Sequence, residues 1–412
     1  MSDRESSASA GRLSRRALLK VAGIGAGGAA AISLGLARAG GGSTIAFIGT
    51  YGPHGQGIYR CRLDAASGRL GQAELAAKAS NPSWLTLDRT RRVLYACNET
   101  SDFNGTKTGS VSAYAVQAGG NLQLLNTVSS GGGGPVHLSL HPSGHFAFVA
   151  NYDGGNVAVF PLAPDGSLLA ASDVQDDVHA CKPADCTVGP EKAENGPPGS
   201  FAISGHDAPH AHMVQSDPSG RFVIANDLGL DRTIVWSFDA TRGLLSRPRT
   251  TPSSAGAGPR HFAFHPGGRW LYSLNEESST LCVMSYDPAI GSLSVEQEVS
   301  ALPSRFAGTS FASEVIVSPT GRHLYCLNRL HDSISIFAID GQSGQVRFVD
   351  EEWTRGSYPR SCSFDPSGQF LYVCNQRSDH VSAFRAGGDG RLNFTGHYAA
   401  VGTPAAIAFA AG

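Results

Sequence analysis

One phrase recurs along this chain about every 50 residues, the spacing expected of a repeated structural unit. Its plainest copies run from Pro259 to Glu276 (Pro-Arg-His-Phe-Ala-Phe-His-Pro-Gly-Gly-Arg-Trp-Leu-Tyr-Ser-Leu-Asn-Glu) and from Pro359 to Gln376 (Pro-Arg-Ser-Cys-Ser-Phe-Asp-Pro-Ser-Gly-Gln-Phe-Leu-Tyr-Val-Cys-Asn-Gln). Each copy opens with an alternating apolar run. A Pro-Ser-Gly reversal or a close variant follows, where Pro presets one turn dihedral and Gly accepts positive φ. A second run ends at Asn, a third alternates with period two, as in Ser333 to Phe337, and a fourth follows a Gly turn such as Gly291-Ser292-Leu293. Four short strands per unit, with no long helical stripe, read as the blade of a β-propeller.

The terminal Asn recurs at Asn98, Asn151, Asn226, Asn275, Asn328 and Asn375, and counts six units. Recurrence in non-equivalent blades assigns these asparagines to turn chemistry rather than to a site. The chain ends supply a seventh unit: Thr403 to Phe409 reads as a first strand, while Ile45 to Thr50 and Gly57 to Leu63 read as the strands that complete it. The expected fold is therefore all-β, a seven-bladed β-propeller of four-stranded blades whose N- and C-terminal strands share one blade. Closing the ring this way leaves no sheet edge open to aggregation. A closed ring also has no need of a second copy, so a monomer is expected.

The first residues form a separate object. Ser14-Arg15-Arg16-Ala17-Leu18-Leu19-Lys20 precedes a mildly apolar, Gly/Ala-rich stretch from Val21 to Leu36 and then Ala37-Arg38-Ala39. Residues 1–39 thus resemble a twin-arginine export signal with an A-x-A cleavage site. Its glycine content argues against a permanent membrane span. The expectation is passage through the twin-arginine translocase, cleavage after Ala39, a propeller over residues 40–412 with no stable anchor, and a periplasmic or secreted protein. Removing that segment takes the net charge from −2 to −6. A body this acidic, with no basic stripe, disfavours nucleic acid and anionic bilayers as partners.

Cys97, Cys282, Cys326, Cys362 and Cys374 fall within strand patterns, where a thiol packs as a small apolar group. Cys181 and Cys186 differ, because they lie in one long insertion at about 163–208; a local disulfide and two free thiols are equally open readings. A zinc site would want two more ligands at suitable spacing, and only His179 is near. No Gly-x-Ser-x-Gly elbow is present, so a serine nucleophile is not expected. Neither a cofactor nor a bound metal is expected.

In a propeller blade the first strand lines the central channel and the second returns beside it, so the start of one and the end of the other share a face. Here that face is loaded. His137, His210, His212, Arg260, His261, Glu314 and Arg360 stand at first-strand starts, and Glu99, Tyr152, Asp227, Glu276, Arg329 and Gln376 at second-strand ends. Any one of them could serve only to bind a neighbouring carbonyl. Three arginines with a carboxylate and an imidazole on one axis would be costly to desolvate without an anionic or carbonyl-bearing ligand. The opposite face carries the Pro-Ser-Gly turns and reads as structural.

Several stretches are more specific than a generic propeller. These are Phe47 to Tyr51 with Gly57-Ile58-Tyr59, Gly134-Pro135-Val136-His137 through Asn151 to Gly155, Pro209-His210-Ala211-His212 through Asn226 to Asp231, Gly258-Pro259-Arg260-His261 through Asn275-Glu276, and Asn328-Arg329 with His331 to Ser333. Together they resemble the seven-bladed lactonase family, which contains propeller-type 6-phosphogluconolactonases and carboxymuconate-lactonizing enzymes. The resemblance spans residues 44–412. It implies that His212, Arg260, Glu276 and Arg329 are catalytic and that His137, His210, His261, Glu314 and Arg360 bind substrate, with His210 and His212 not ranked against each other. The chain departs from the family pattern at Ile316 and at Ser361-Cys362, positions that bear on substrate recognition rather than fold. The implied activity is hydrolysis of a sugar lactone, in which Glu276 or His212 takes the proton from water and Arg260 stabilises the oxyanion. A lyase acting on muconolactones and a non-catalytic exported binding propeller are the alternatives.

Overall fold

The computed structural model describes residues 44–180 and 186–411. The proposed export signal, residues 1–39, lies outside them. Seven antiparallel sheets form the body, six of them four-stranded meanders. Their innermost strands are Pro82–Asp88, Pro135–Leu140, Ala211–Ser216, Pro259–Phe264, Ala312–Val317 and Pro359–Phe364, for blades 1 to 6. In blade 7 the innermost strand is Pro404–Ala411, which pairs antiparallel with Thr44–Thr50. The ring is therefore closed by strands from both chain ends, and the Tyr51 amide donating to the Thr403 carbonyl at 3.0 Å locks the seam.

Blade-to-blade packing follows from two recurrent side chains. In blades 1 to 6 the Asn at the end of the second strand is buried, and in four of them its amide reaches beyond its own sheet: Asn151 Nδ2 donates to Ser130 O, Asn226 Nδ2 to Ser273 Oγ, Asn328 Nδ2 to Ala301 O at 2.9 Å and Asn375 Nδ2 to Thr354 O at 3.2 Å. A buried Tyr in the second strand of blades 1, 4, 5 and 6 donates its hydroxyl to a glycine carbonyl in the following blade, at 2.7–3.0 Å (Tyr95 to Gly166, Tyr272 to Gly344, Tyr325 to Gly390, Tyr372 to Gly68). Those glycines turn the chain between third and fourth strands with positive φ. At Gly344 a Cβ would lie 2.2 Å from the Trp270 ring, so the turn needs glycine both for its backbone and for the close approach. Between these ties the blades pack Val, Ile, Leu, Phe and Tyr against one another in clusters that each span adjacent blades. Cys61, Cys97, Cys282, Cys326, Cys362 and Cys374 are free and buried there.

Part of the stretch 163–208 belongs to a blade. Asp173–Asp176 is the fourth strand of blade 2, so the true connection runs from 177 to 210. It crosses the ends of blades 3 to 5, with backbone bonds from Gly189 N to Gly229 O, Glu194 N to Ala255 O and Gly308 N to Pro198 O. Cys186 is disulfide-bonded, against the reading of two free thiols; Cys181, the other cysteine of the local-disulfide reading, lies outside the described residues.

The start of this connection stores a titratable contact. Asp177 is fully buried beside Asp227, and neither Asp177 carboxylate oxygen has a hydrogen-bond donor. Burial, and then the neighbouring carboxyl, push the Asp177 pKa well up. A carboxyl whose pKa is raised by folding stabilises the fold most below its unfolded pKa, and that contribution is lost as pH rises through the folded value. Asp177→Asn removes the titration and offers an amide donor to Asp227 Oδ2. We expect the variant to be more stable than wild type at pH 8 by about 1–3 kcal/mol, the scale of relieving an unsatisfied buried acceptor, with the gap closing towards pH 4. Urea unfolding at both pH values checks this; an equal gap at both would refute it.

Candidate active site

Register irregularities place the site. In every one of the seven innermost strands the pairing with the second strand slips directly after the first residue. The skipped residues are Ser83, Val136, His212, Arg260, Arg360 and Ala405, with Ser313 and Glu314 together in blade 5. A β-bulge adds one unpaired residue, breaks the strict in-out alternation and re-aims side chains. Six of these bulge residues, Ser83, Val136, His212, Arg260, Arg360 and Ala405, line one small enclosed space, joined by Trp84, His261 and Ser361. Three of those six bulge positions are small or aliphatic; the other three, His212, Arg260 and Arg360, carry titratable or charged side chains. Equivalent positions in a repeated fold thus build an asymmetric pocket.

One buried carboxylate organises the cations. Glu276 Oε2 lies 2.8 Å from Arg260 Nε and 2.6 Å from Arg329 Nη2. The Arg260 contact is a close charge pair without hydrogen-bond alignment, since Arg260 Nε has no aligned acceptor; Arg260 Nη1 donates to the Ser313 carbonyl. Arg329 gives its other donors to Phe311 O, Ala312 O and the Tyr358 hydroxyl. Burial alone would raise the Glu276 pKa, but Arg329 and Arg260 outweigh it and hold the carboxyl below its ordinary value. Burial and the nearby Arg329 pull Arg260 down to about 10, so it stays charged at neutral pH. Arg360 sits over the Tyr51 ring at 5.0 Å and 3.5 Å from Glu99 Oε2, which accepts the Tyr51 hydroxyl at 2.5 Å.

The histidines separate into three environments. His210 is engaged on both ring nitrogens, by Tyr152 O and Asp207 Oδ1, each at 2.9 Å, and stacks on Tyr152 with centroids 4.1 Å apart. Its backbone N–H is held by Asp227 Oδ1, which also accepts the Leu230 N–H, so Asp227 serves the turn. His212 is different. Its buried Nδ1 has no hydrogen-bond partner, and its ring meets Tyr152 and His261 edge-on at 5.6 and 5.1 Å. Burial, then Arg260 and His261, press the His212 pKa well below the usual imidazole range, leaving it neutral near pH 7.

His137, His261 and Glu314 form the floor. His261 Nδ1 is 3.0 Å from Glu314 Oε1, which also accepts the Val315 N–H; burial pushes the Glu314 carboxyl up to about 8 and, with Arg260, pushes the His261 imidazole well down. His137 packs against Trp84 with ring centroids 4.4 Å apart and the planes tilted by 36°. Beyond this layer, His137 and Glu314 face a second cavity of ≈ 600 Å³ that opens among Pro266 and Pro319 of the reversal turns. The nine residues nominated from sequence are thus all near the axis but in layers: His212, Arg260 and Arg360 at the enclosed space, Glu276 and Arg329 behind them, His261 between, His137 and Glu314 on the turn side, and His210 braced at the rim.

Three side chains were not nominated. Ser204 Oγ reaches Glu276 Oε1 at 3.0 Å; Glu277 is fully buried behind it, and His206 binds Glu277. Ser204 and His206 sit in a non-repeating connection, so the blade pattern carried no signal for them; Glu277 follows Glu276 directly, at a blade position where Asp153 of blade 2 is the one other carboxylate. Among the described residues no three His, Cys, Asp or Glu side chains gather as a metal site.

Comparison with known proteins agrees with this architecture. The sequence matches the family described as lactonase, 7-bladed beta-propeller, over residues 45–409. It is 33% identical over 323 residues to the 6-phosphogluconolactonase of Bacillus subtilis, covering 78% of this chain and 85% of that protein. It is 30% identical over 256 residues to the 6-phosphogluconolactonase of Pectobacterium carotovorum, covering 62% of this chain and 68% of the relative. The structure of a periplasmic gluconolactonase from Pseudomonas aeruginosa superposes with a TM-score of 0.78 at 31% identity, covering 90% of this chain and 99% of that one. With a closed seven-bladed ring and the family match running through nearly all of it, the chain belongs to the seven-bladed β-propeller lactonase family.

Proposed function

We propose that the protein hydrolyses an unphosphorylated sugar lactone whose carbonyl is presented over the space ringed by the bulge residues, which at about 10 Å³ has room for little more than the attacking water. The observation that carries this reading is an uncharged, unpartnered imidazole, His212, beside guanidiniums fixed by one buried carboxylate. Water between the lactone carbonyl and His212 gives a proton to the imidazole as its oxygen bonds to the carbonyl carbon. The carbonyl electron pair moves to oxygen, where Arg260 and Arg360 stabilise the charge. Collapse restores the carbonyl and breaks the ring C–O bond, and the imidazolium returns its proton to the departing alkoxide. The product is the open hydroxy acid.

Glu276 is assigned to the frame. Both Glu276 oxygens are already engaged, Oε2 by two guanidiniums and Oε1 by Ser204, so the carboxylate has no free position from which to take a proton from water, whereas it is well suited to aiming Arg260. Arg329, with its donors already engaged, shares that role, and His210 braces the rim. The family relatives named as lactonases support the reaction class.

Charge supports the choice of substrate. Arg260, Arg329 and Arg360 face Glu276 and Glu99, a net of one positive charge. That matches the single negative charge of an oxyanion, and a phosphate would add about −2 more. An unphosphorylated lactone also suits an exported protein, since sugar phosphates are mainly cytoplasmic, and one structural relative is named a periplasmic gluconolactonase. In a pH-stat assay of purified protein, with and without EDTA, we expect glucono-1,5-lactone to be turned over with kcat/KM at least tenfold above its 6-phosphate, and EDTA to leave the rate unchanged. The reverse preference would overturn the substrate; no turnover of either would overturn the hydrolase.

A further inference from the structure

We propose that Ser204, carried by the connection between blades 2 and 3, is a positioning residue for Glu276, and that His206 seats it there. The inference rests on the role given above to Glu276. The two Glu276 oxygens have different partners. Oε2 faces Arg260 and Arg329, whereas Oε1 accepts from Ser204 Oγ at 3.0 Å. Without Ser204 the carboxylate is held at one oxygen only and can swing about its last bond, taking Arg260 with it.

A serine hydroxyl has one proton and here two carboxylates within reach, because Ser204 Oγ is also 2.9 Å from Glu277 Oε1. The surroundings decide between them. Glu277 Oε1 already lies 2.8 Å from the Ser204 N–H and 3.0 Å from His206 Nδ1. His206 Nε2 is 3.2 Å from Asp231 Oδ1, and Asp231 is itself fixed by the Gly256 and Gly258 amides at 2.7 and 2.8 Å. His206 is fully buried between the two carboxylates, which hold it protonated against the opposing effect of burial. As an imidazolium it donates to both, so Glu277 Oε1, the oxygen within reach of the hydroxyl, already has two donors and the Ser204 proton is left for Glu276. Asp231 and Glu277 come from blades 3 and 4, so the clamp pins the connection to the two blades that bear His212 and Arg260. The connection is thereby part of the site rather than a surface ornament.

The test compares Ser204→Ala, Ser204→Thr and His206→Gln with wild type in lactone turnover, and adds a double-mutant cycle between Ser204→Ala and Glu276→Gln in urea unfolding. We expect Ser204→Ala to lower kcat by about 10–100-fold, the scale of a hydrogen bond to a charged group, with KM changed less than threefold. Ser204→Thr, which keeps the hydroxyl, should recover most of the rate, and His206→Gln should reproduce the kcat loss. The unfolding cycle should be non-additive. Turnover by Ser204→Ala within twofold of wild type, or a cycle that adds, overturns the proposal. If wild type opens no lactone, the hydrolase reading fails alone, and the unfolding cycle by itself decides the Ser204–Glu276 contact.

Discussion

Glu276→Gln should cost the protein both its turnover and a large part of its stability. The carboxylate is the shared counter-ion of Arg260 and Arg329, all three nearly excluded from solvent. Gln keeps the shape and removes the charge, so two guanidiniums face each other in a buried site with nothing between them. Breaking a buried ion pair from one side costs about 3–5 kcal/mol, because the charge left behind cannot be solvated. Arg260 would relieve the repulsion by moving, and an oxyanion donor displaced by an ångström loses about 10²–10³ in kcat. Urea unfolding and steady-state kinetics at pH 7 measure the two losses. The pH dependence is also set. A carboxyl whose folded pKa is depressed stabilises the fold above its unfolded pKa, and loses that contribution as pH falls through the folded value. Wild type should therefore lose this contribution only as pH falls below the ordinary carboxyl range, while Glu276→Gln lacks it throughout. A second variant, Arg260→Gln with Glu276→Gln, removes one charge of each sign and should recover stability without recovering activity. If Glu276→Gln unfolds at the wild-type midpoint, the two guanidiniums do not depend on it and the site as described is wrong.

Much of this was legible because the fold is a repeat. The period, the Pro-x-Gly reversals and the terminal Asn each report the same four-strand unit, and the incomplete units at the chain ends require one another. The bulge was not legible. Nothing in Pro259-Arg260-His261 says that the ladder skips Arg260, because alternation along a strand is a default that only the partner strand overrides. Without the bulge, Arg260 and His261 would point to opposite faces; with it, both reach the enclosed space. The same omission merged the layers. His137 and Glu314 look like strand-start residues alongside His212 and Arg360, yet they are third in their strands where His212 and Arg360 are second, one step further along the axis, and they line the cavity on the turn side. The two histidines of Pro209-His210-Ala211-His212 are likewise equivalent in sequence. They part only when Tyr152 and Asp207 take both nitrogens of the first. Ser204 and His206 stand outside the repeat, and a residue outside a repeat has no second copy against which it can be noticed.

That parting of the histidines carries the second large effect. His212→Gln should lower kcat by about 10²–10⁴-fold, the usual contribution of a positioned general base, with folding unchanged by circular dichroism. Gln nearly fills the volume and keeps polar atoms in the site, but cannot accept a proton at neutral pH. His210→Gln, by contrast, removes a rim brace, so it should alter stability more than the chemical step. The wild-type pH profile provides an independent reading. A general base acts in its deprotonated form. Burial and the surrounding Arg260, His261, Arg360 and Arg329 depress the His212 pKa well below 6.5. kcat/KM on glucono-1,5-lactone, corrected for spontaneous opening, should therefore stay flat from pH 8 to 6.5 and fall only in more acidic solution. Removing one of the repelling charges should move that limb upward: in Arg360→Gln, whose guanidinium is the one not shared with Glu276, the acid inflection should rise towards the ordinary imidazole value while the alkaline side is unaltered. A wild-type inflection at or above 6.5, or a limb in Arg360→Gln that does not move, would mean that the proton passes through some group other than His212.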